Sequence, residues 1–313
     1  MASVEEGLAG RSVVFMGSGP VAAKSLELLL KHTQVEAVVT KPTTLWEMAA
    51  VADEIPLHTV SNRAELDQLV DTQKFTSHAG VLIDFGIIVS QHAIDTFPLG
   101  IVNSHFSVLP EWRGADPITF AILSGQSVTG VSLMLLVEKM DEGPIIGYGE
   151  QQLSGTETTP VLTEQLIKLS DALLRDLLPR YMSGNTKPGK QELSGRTVSY
   201  SRKLTKEDGA LDFTKPAEIL EREIRAFIGW PKSRTTIGGK DVIITAAHAG
   251  PAAPGVHRPG EVAIVKQPKS LYVHCNPGCL FIDRLKPAGK PDMPIEAFLA
   301  GYPSYSSIVV KAG

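Results

Sequence analysis

The first part of the chain alternates short apolar runs with segments in which apolar residues recur every three or four positions. The runs are typical of buried strands and the recurring segments of amphipathic helices. Strands alternating with helices predict right-handed crossovers and a mostly parallel α/β sheet. The pattern predicts strands at Ser12–Met16, Val35–Thr40, Leu57–Thr59, Ala79–Asp84 and Gly100–Ser104, and helices at Val21–His32, Leu45–Ala52 and Arg63–Val70.

The pattern then adds a helix (Asp116–Ser124), two strands (Thr129–Glu138 and Pro144–Leu153) and a long helix (Thr159–Ser183). Beyond a hydrophilic linker, short strands separated by Gly and Pro are typical of a small β-barrel. A helix is predicted over Pro216–Phe227. The short strands follow it at Ser233–Ile237, Lys240–Ala247, Gly260–Val265, Leu271–Val273 and Cys279–Lys286. A chain of 313 residues exceeds the size at which one core usually splits. We therefore expect a domain over residues 1–184, a linker over 185–201 and a second domain over 202–313.

Charge is unevenly distributed along the chain. The formal net charge is -4, with 43% hydrophobic and 20% charged residues, as in an ordinary globular protein. From residue 200 onward there are 16 Lys and Arg against 11 Asp and Glu, a net of +5, so the first 199 residues carry -9. A polyanion would therefore meet the C-terminal part first, although a solvated basic face without a partner has the same charge.

The sequence contains two cysteines, Cys275 and Cys279. Two cysteines make no disulfide framework, which favours a reducing compartment. The N-terminal segment is acidic and lacks the apolar core of a secretory signal. The longest apolar run, over residues 81–89, is interrupted by Asp84 and Gly86 and is too short to span a bilayer. We expect a cytoplasmic protein without membrane segments.

Residues 101–117, IVNSHFSVLPEWRGADP, carry the strongest chemical signal. Asn103 and His105 stand two residues apart at the end of a predicted strand, so their side chains should project from the same face. An amide donor beside an imidazole suits a reaction that develops an oxyanion and moves a proton. On spacing alone, a turn-capping Asn103 and a structural His105 explain the segment equally well.

A carboxylate for this pair is predicted in the turn after a later apolar strand. Asp141 would orient the imidazole of His105 and stabilise its protonated form, as an aspartate does in hydrolytic triads. An ordinary turn aspartate gives the same pattern, and Glu138 and Glu142 are competing carboxylates. The sequence shows no serine nucleophile elbow, phosphate-binding loop or metal-hydrolase motif. The three side chains therefore fit a direct acyl transfer in which the amine of the substrate attacks.

Three further motifs are less specific. Residues 17–22, GSGPVA, match a dinucleotide-binding pattern, but the acidic ribose partner about 20 residues further on is missing, which favours a strand-to-helix turn. His274, Cys275 and Cys279 lack a second pair at zinc spacing, so a hairpin turn is favoured and no metal is expected. The loop over residues 84–88 follows a buried strand and can offer backbone groups to a planar heterocycle, or it is a plain connection.

Two segments resemble the signature blocks of folate-dependent formyltransferases, and the chain as a whole resembles the methionyl-tRNA formyltransferase family. The resemblance covers nearly the full length. The residues that resemble the first block are Asn103-x-His105, Ser107-Val108-Leu109-Pro110 and Trp112-Arg113-Gly114-Ala115-x-Pro117-Ile118. Those that resemble the second block are Gly130-Val131-Ser132 and Met140-Asp141-Glu142-Gly143. Both blocks are shared with formyltransferases acting on glycinamide ribonucleotide, amino sugars and formyltetrahydrofolate.

The tRNA-specific branch is indicated by the C-terminal part of the chain. Three segments resemble a C-terminal OB-like barrel that helps the family to hold tRNA: Lys203–Gly209, Arg225–Phe227 with Trp230-Pro231, and Leu285–Lys290. The basic balance of this part agrees with the resemblance. The fold implied is a Rossmann-like, mostly parallel α/β formyltransferase domain followed by a small OB-like β-barrel domain.

The resemblance also implies site residues and partners. It implies 10-formyltetrahydrofolate as donor, initiator methionyl-tRNA as acceptor, no metal and a monomer. Asn103 and His105 would stabilise the oxyanion, His105 would move the proton, and Asp141 would support the imidazolium. Donor-binding residues would be Phe85, Gly86, Ile87, Ile88, Ser107, Val108, Leu109, Pro110, Met140 and Glu142. Acceptor-binding residues would be Arg113, Gly114, Lys203 and Arg225.

The sequence departs from the family pattern after the second strand. There the family usually carries a basic insertion that contacts the acceptor stem, whereas here residues 41–46 lead almost directly into a helix. The sequence therefore leaves the choice of acceptor open. One alternative is a folate-dependent N-formyltransferase acting on an amino sugar or another small amine. Another is a non-catalytic tRNA- or folate-binding protein, which the intact Asn103, His105 and Asp141 argue against.

Overall fold

The computed structural model describes residues 12–191, 195–252, 254–255, 257–266 and 269–301. The acidic N-terminal segment, residues 1–11, on which the expectation of no secretory signal depends, lies outside the described residues. So do residues 192–194 of the predicted linker and residues 302–313 of the predicted second domain. None of the helices in the described ranges combines the length and hydropathy that a membrane crossing requires.

The chain divides into two compact units. The first contains residues 1–117, 128–152 and 163–201, and the second contains residues 118–127, 153–162 and 202–313. Residues 153–162 are tied to the rest of the second unit by two hydrogen bonds: Thr159 Oγ1 donates to the Ala226 carbonyl (2.6 Å), and Arg225 Nη1 donates to the Glu157 carbonyl (2.8 Å). Such contacts between distant parts of the chain leave no trace in the hydrophobic pattern. The domain limits expected from the sequence stay predictions.

A seven-stranded sheet is the centre of the first unit. Its strands run in the order β3-β2-β1-β4-β5-β7-β8 and are parallel from β3 to β5, while β7 and β8 are antiparallel to their neighbours. This confirms the predicted Rossmann-like, mostly parallel sheet. The strands are β1 (Ser12–Gly17), β2 (Gln34–Thr40), β3 (Leu57–Thr59), β4 (Ala79–Ile83), β5 (Ile101–His105), β6 (Arg113–Gly114), β7 (Val128–Leu135), β8 (Ile145–Gln152) and β9 (Tyr200–Ser201), of which β6 pairs with β9.

Six helices occur in the described part of the chain up to residue 191. They are α1 (Gly19–Leu29), α2 (Leu45–Ala49), α3 (Arg63–Gln73), α4 (Gln91–Asp95), α5 (Pro117–Ser124) and α6 (Thr159–Met182). Helix α4 was not predicted from the sequence, because a single turn shows no periodicity; its start is fixed by Ser90, whose Oγ accepts from the Ala93 N–H (2.9 Å). A 3-10 turn, Pro42–Thr44, joins β2 directly to α2, so the chain does pass from the second strand into a helix.

In its described residues beyond 202, the second unit contains an antiparallel sheet and two helices; most of α5 also belongs to this unit, in the segment 118–127. The strands β10 (Ser233–Ile237), β11 (Lys240–Gly250), β12 (Val262–Lys266), β13 (Lys269–His274), β14 (Cys279–Pro287) and β15 (Met293–Pro294) pair in the order β10-β11-β14-β13-β12, with β15 on β14. The helices are α7 (Ala217–Ala226) and α8 (Ile295–Gly301), of which α8 was not predicted. Leu220 and Ile224 of α7 are buried with Leu271, Leu280 and Phe298 in one core. The separate C-terminal β-domain expected from the sequence is thereby confirmed.

Candidate active site

Asn103 and His105 lie on the same face of β5. The residue between them, Ser104, points to the opposite face, where its Oγ is hydrogen-bonded to Ser170 Oγ of α6 at 2.7 Å. Both Asn103 and His105 are only 7% exposed. Within the described ranges the Asn103 amide has no hydrogen-bond partner in the protein, so it is available to a ligand oxygen.

The ring of His105 is held by a backbone carbonyl. Its Nε2 lies 2.9 Å from the Trp112 carbonyl oxygen. Because a carbonyl oxygen only accepts, Nε2 carries the hydrogen and Nδ1 is the ring nitrogen that can gain or lose a proton. Nδ1 lies 3.9 Å from Asp141 Oδ1, which is too long for a hydrogen bond but close enough to stabilise an imidazolium.

Asp141 is fixed by a backbone N–H group. Its Oδ2 accepts a 2.7 Å hydrogen bond from the Gly114 N–H, and the residue is only 9% exposed. Gly114 has φ +105° and pairs with Ser201, and a Cβ at Gly114 would stand 2.5 Å from the Ser201 carbonyl oxygen. Only glycine fits this close approach, so Gly114 aims its N–H at the carboxylate that faces His105.

Side chains join the loop of Asp141 to the segment around Arg113. Arg113 is paired with Glu142 (Nη1 to Oε1, 3.1 Å) and donates to Gln191 Oε1 (2.8 Å). Gln191 Nε2 in turn donates to the carbonyls of Asp141 (2.7 Å) and Gly143 (3.0 Å). The Arg113 side chain is 12% exposed and that of Glu142 37%, so the buried guanidinium anchors a network that holds the carboxylate loop in place.

The turn after β5 is fixed by Ser132 on β7. Ser132 Oγ donates to the Ser107 carbonyl (2.8 Å) and accepts from the Leu109 N–H (3.0 Å). Gly130, two residues earlier, has no room for a side chain, because a Cβ would meet the Gly149 carbonyl oxygen at 2.0 Å. The Gly130-x-Ser132 segment therefore positions the backbone that follows His105.

The residues predicted to bind a formyl donor differ in what they present to solvent. Five of them are buried: Phe85, Ser107, Val108, Leu109 and Pro110. By contrast, Ile88 is 68% and Met140 63% exposed. Gly86 is exposed, Ile87 is half-buried, and Glu142 is engaged by Arg113. Ligand contact by all of these residues stays a prediction.

The glycine turn after β1 has its own carboxylate beside it. Glu47 of α2 lies near the start of α1, with its Oε2 3.8 Å from the position a Gly19 Cβ would occupy. This Oε2 is buried and has no hydrogen-bond partner among the described residues. A phosphate at this helix start would meet a negative charge, which agrees with the expectation that residues 17–22 form a turn rather than a dinucleotide site.

The family assignment follows from the sequence models of known families. The model described as "Formyl transferase" matches residues 10–178, which contain Asn103, His105 and Asp141. The model described as "Formyl transferase, C-terminal domain" matches residues 203–303. The chain belongs to the formyltransferase family. The resemblance stated from the motifs is thereby confirmed.

Individual relatives of this formyltransferase match over almost its whole length. The methionyl-tRNA formyltransferase of Myxococcus xanthus is 34% identical over 301 residues, covering 93% of this chain and 95% of the relative. That of Chloroflexus aurantiacus is 32% identical over 302 residues, covering 92% and 96%. The solved N-formyltransferase of Helicobacter canadensis, in complex with folinic acid and dTDP-3-aminofucose, has a TM-score of 0.64 at 18% identity, covering 86% of this chain and 98% of that one. This structure shows that the fold is shared.

The remaining predicted acceptor residues of the formyltransferase lie in its second unit. Lys203 is exposed, whereas Arg225 is largely buried and bonded to Glu221 and to the Glu157 carbonyl. Contact of either residue with an acceptor stays a prediction. Within the described ranges, no group of three or more His, Cys, Asp or Glu side chains is placed to hold a metal. Burial raises the pKa of Cys275 to about 12, which makes its thiol unreactive.

Sequence reasoning missed three of the groups that fix this site. The Trp112 carbonyl and the Gly114 N–H are backbone atoms, and residue identity does not reveal where they point. Gln191 lies 50 residues after Asp141, in a stretch without periodicity. Ser132 had a signal, because it stands in the second signature block, but its part in holding the turn after His105 required the strand register.

Proposed function

We propose that this formyltransferase transfers the formyl group of 10-formyltetrahydrofolate to the α-amino group of initiator methionyl-tRNA and so supports translation initiation. The observation that carries the proposal is the placement of Asn103 and His105 on one strand face, with Asp141 beside the ring at 3.9 Å. The near full-length similarity to methionyl-tRNA formyltransferases supports the choice of acceptor.

The site supplies the two functions that formyl transfer needs. When the amine attacks the formyl carbon, the carbonyl oxygen becomes an oxyanion, and the Asn103 amide is available to donate to it. His105 exchanges the proton at Nδ1, since its Nε2–H is occupied by the Trp112 carbonyl. Asp141 stabilises the imidazolium that forms, and Gly114 keeps Asp141 in position.

The loop after β4 is suited to hold the folate part of the donor, which supplies the formyl carbon as an activated amide. Gly86 has φ +66° and is exposed, so the backbone groups of this loop are open to a planar ring. Ile88 and Met140 add exposed apolar surface, which a pterin ring would cover. These features support the predicted donor-binding residues.

The acceptor is supported by the C-terminal part of the chain, with its net charge of +5 from residue 200 onward. In this part Lys203 is exposed and is predicted to contact tRNA. The direct passage from β2 into α2 means that acceptor-stem selection has to use other residues than a basic insertion there. A cytoplasmic location and a monomeric state belong to the same proposal.

The test compares acceptors with one formyl donor. The wild-type protein is incubated with 10-formyltetrahydrofolate and, separately, initiator methionyl-tRNA, elongator methionyl-tRNA and a dTDP-linked amino sugar. We expect kcat/KM to be highest for the initiator tRNA. A higher kcat/KM for the amino sugar would assign the chain to small amines instead. Binding of tRNA should also weaken steeply with salt, through its phosphate contacts.

A further inference from the structure

The second unit contains a cavity of its own. Its volume is about 450 Å³, and all the residues that line it belong to this unit. They come from helix α7, from helix α5 and from the segment over residues 202–215 that precedes α7. Pockets that hold small molecules have volumes in this range.

One face of helix α7 forms a wall of this cavity. Ile219, Glu223 and Phe227 follow one another at intervals of four residues, so their side chains lie on the same side of the helix. Phe227 stands just past the end of α7 but continues its hydrogen bonding, since its N–H donates to the Glu223 carbonyl (2.9 Å). The wall therefore carries a carboxylate between two apolar side chains.

Glu223 is a buried carboxylate with one oxygen left without a donor. The residue is only 7% exposed. Its Oε1 accepts from Lys215 Nζ at 2.6 Å, whereas its Oε2 is buried and has no hydrogen-bond partner among the residues that the structure describes. Burial raises the pKa of this carboxyl although Lys215 acts to lower it, so the lysine does not fully replace the lost water. A ligand that donates to Glu223 would recover the free energy that a missing hydrogen bond costs.

Lys215 can give up its place on Glu223 to such a ligand. Its side chain is 41% exposed, whereas that of Glu223 is 9% exposed, so the ammonium reaches the carboxylate from the solvent side. An ammonium that keeps contact with water loses little when it leaves an ion pair. Withdrawal of Lys215 would open Oε1 as well, and a donor in the cavity would then meet both oxygens of the carboxylate.

The charges around the cavity favour a cation over an anion. The lining contains two basic and three acidic side chains: Arg202, Lys215, Glu207, Asp208 and Glu223. The net charge of this set is therefore -1, which attracts a positive group. Both carboxylate oxygens of Asp208 are already bonded to the Arg202 guanidinium, and Glu207 is exposed to water. Glu223 is thus the acidic side chain of the lining that a ligand would satisfy.

The remaining walls are apolar, with Phe120 and Leu123 of α5 and Leu204 opposite the charged group of α7. We propose that this cavity binds a small organic cation, whose ammonium group donates to the Glu223 carboxylate and whose apolar part lies against these side chains. A buried charge-assisted hydrogen bond would supply the specificity, and the apolar contacts would add affinity. The inference does not depend on the proposed function.

The test is calorimetric titration of the full chain with benzylamine and with hexylamine, which carry an ammonium group on an apolar body. We expect saturable binding with a Kd below about 10 mM, the affinity of a ligand of about eight non-hydrogen atoms. Benzyl alcohol has nearly the shape of benzylamine without its charge and should bind about tenfold more weakly, since it makes no charge-assisted hydrogen bond. The inference is overturned if neither amine binds, or if benzyl alcohol or the anion benzoate binds as tightly as the amines.

Three variants locate the binding at Glu223. Glu223→Gln keeps the size of the side chain and removes its charge, so the amines should bind about tenfold more weakly and benzyl alcohol as in wild type. Lys215→Met removes the competing ammonium and should strengthen amine binding, a gain that a folding defect cannot produce. Glu218→Gln, an exposed glutamate of the same helix outside the lining, is the matched control and should bind like wild type. Unchanged amine affinity in Glu223→Gln, no gain in Lys215→Met, or an equal loss in Glu218→Gln would overturn the inference.

Discussion

Replacing Gly114 by alanine tests the part of the site that the structure explains most fully. The new Cβ would stand 2.5 Å from the Ser201 carbonyl oxygen, a backbone atom that cannot rotate away, at a φ of +105° that side chains rarely adopt. Segment 113–114 must therefore shift, and the 2.7 Å hydrogen bond from its N–H to Asp141 is weakened or lost. The carboxylate that faces His105 then loses the donor that fixes it.

The magnitude follows from these two effects. A strained backbone conformation costs about 1–3 kcal/mol, and a lost hydrogen bond to a charged group about 1.5–3 kcal/mol. Because the shift that relieves the strain is the one that breaks the bond, the two costs do not add fully. We expect the free energy of unfolding to fall by about 2–4 kcal/mol. Turnover should fall by about 100-fold, since a displacement of about 1 Å at a reacting group has that effect.

The assay combines urea unfolding with steady-state formyl transfer. Gly184→Ala is the matched control, because Gly184 also has a positive φ (+76°) in the first unit but nothing lies within 4 Å of a Cβ there. This control should lose some stability and keep its turnover. If Gly114→Ala retains near-normal turnover and is no less stable than Gly184→Ala, the reasoning about Asp141 is wrong.

Three further outcomes are expected. Asn103→Ala should lower kcat by about 10²–10³-fold, the effect of removing one oxyanion donor, while its melting temperature stays that of wild type. A smaller loss of kcat would contradict the role of the Asn103 amide as an oxyanion donor. Asp208→Asn should lower the melting temperature at pH 7, because the bond with Arg202 holds the pKa of Asp208 well below its usual range. A depressed folded-state pKa stabilises above the unfolded-state value of about 3.9, so the difference from wild type should fade as the pH falls below that value, and a constant difference would contradict the ion pair. Gln191→Ala should lower turnover, because it removes the donor to the Asp141 and Gly143 carbonyls. Single-turnover kinetics measures this loss, and an unchanged rate would show that catalysis does not need the hydrogen bonds of Gln191.

The elements that the sequence predicted well are those with strong local patterns. The strands Leu57–Thr59 and Ser233–Ile237 have the limits expected from their turn-bounded patterns. Helix α4, with five residues, and the two-residue pairing of β6 with β9 were not foreseen. Neither has enough residues for a periodicity, and the pairing joins segments 87 residues apart, so only the folded chain brings them together.

In the candidate site, too, the sequence indicated the functional residues but not the groups that they contact. Asn103, His105 and Asp141 could be singled out from the chain, because their spacing and chemistry fit acyl transfer. The roles of their partners could not be derived. The sequence predicts that Asp141 orients the ring; in the structure the Trp112 carbonyl is the hydrogen-bond partner of Nε2, while Asp141 accepts from the Gly114 N–H and faces Nδ1. Backbone direction, set by positive φ values and strand register, decides these contacts.

The central claim is that this strand end is a formyl-transfer centre for methionyl-tRNA. The most direct measurement is single-turnover transfer from 10-formyltetrahydrofolate labelled in the formyl carbon, with the label followed to methionine after hydrolysis of the aminoacyl ester. The account predicts formylmethionine with the wild-type protein and a severe loss of the transfer rate with a correctly folded His105→Ala. Absence of label on methionine with the wild type, or near-normal transfer by His105→Ala, would contradict it.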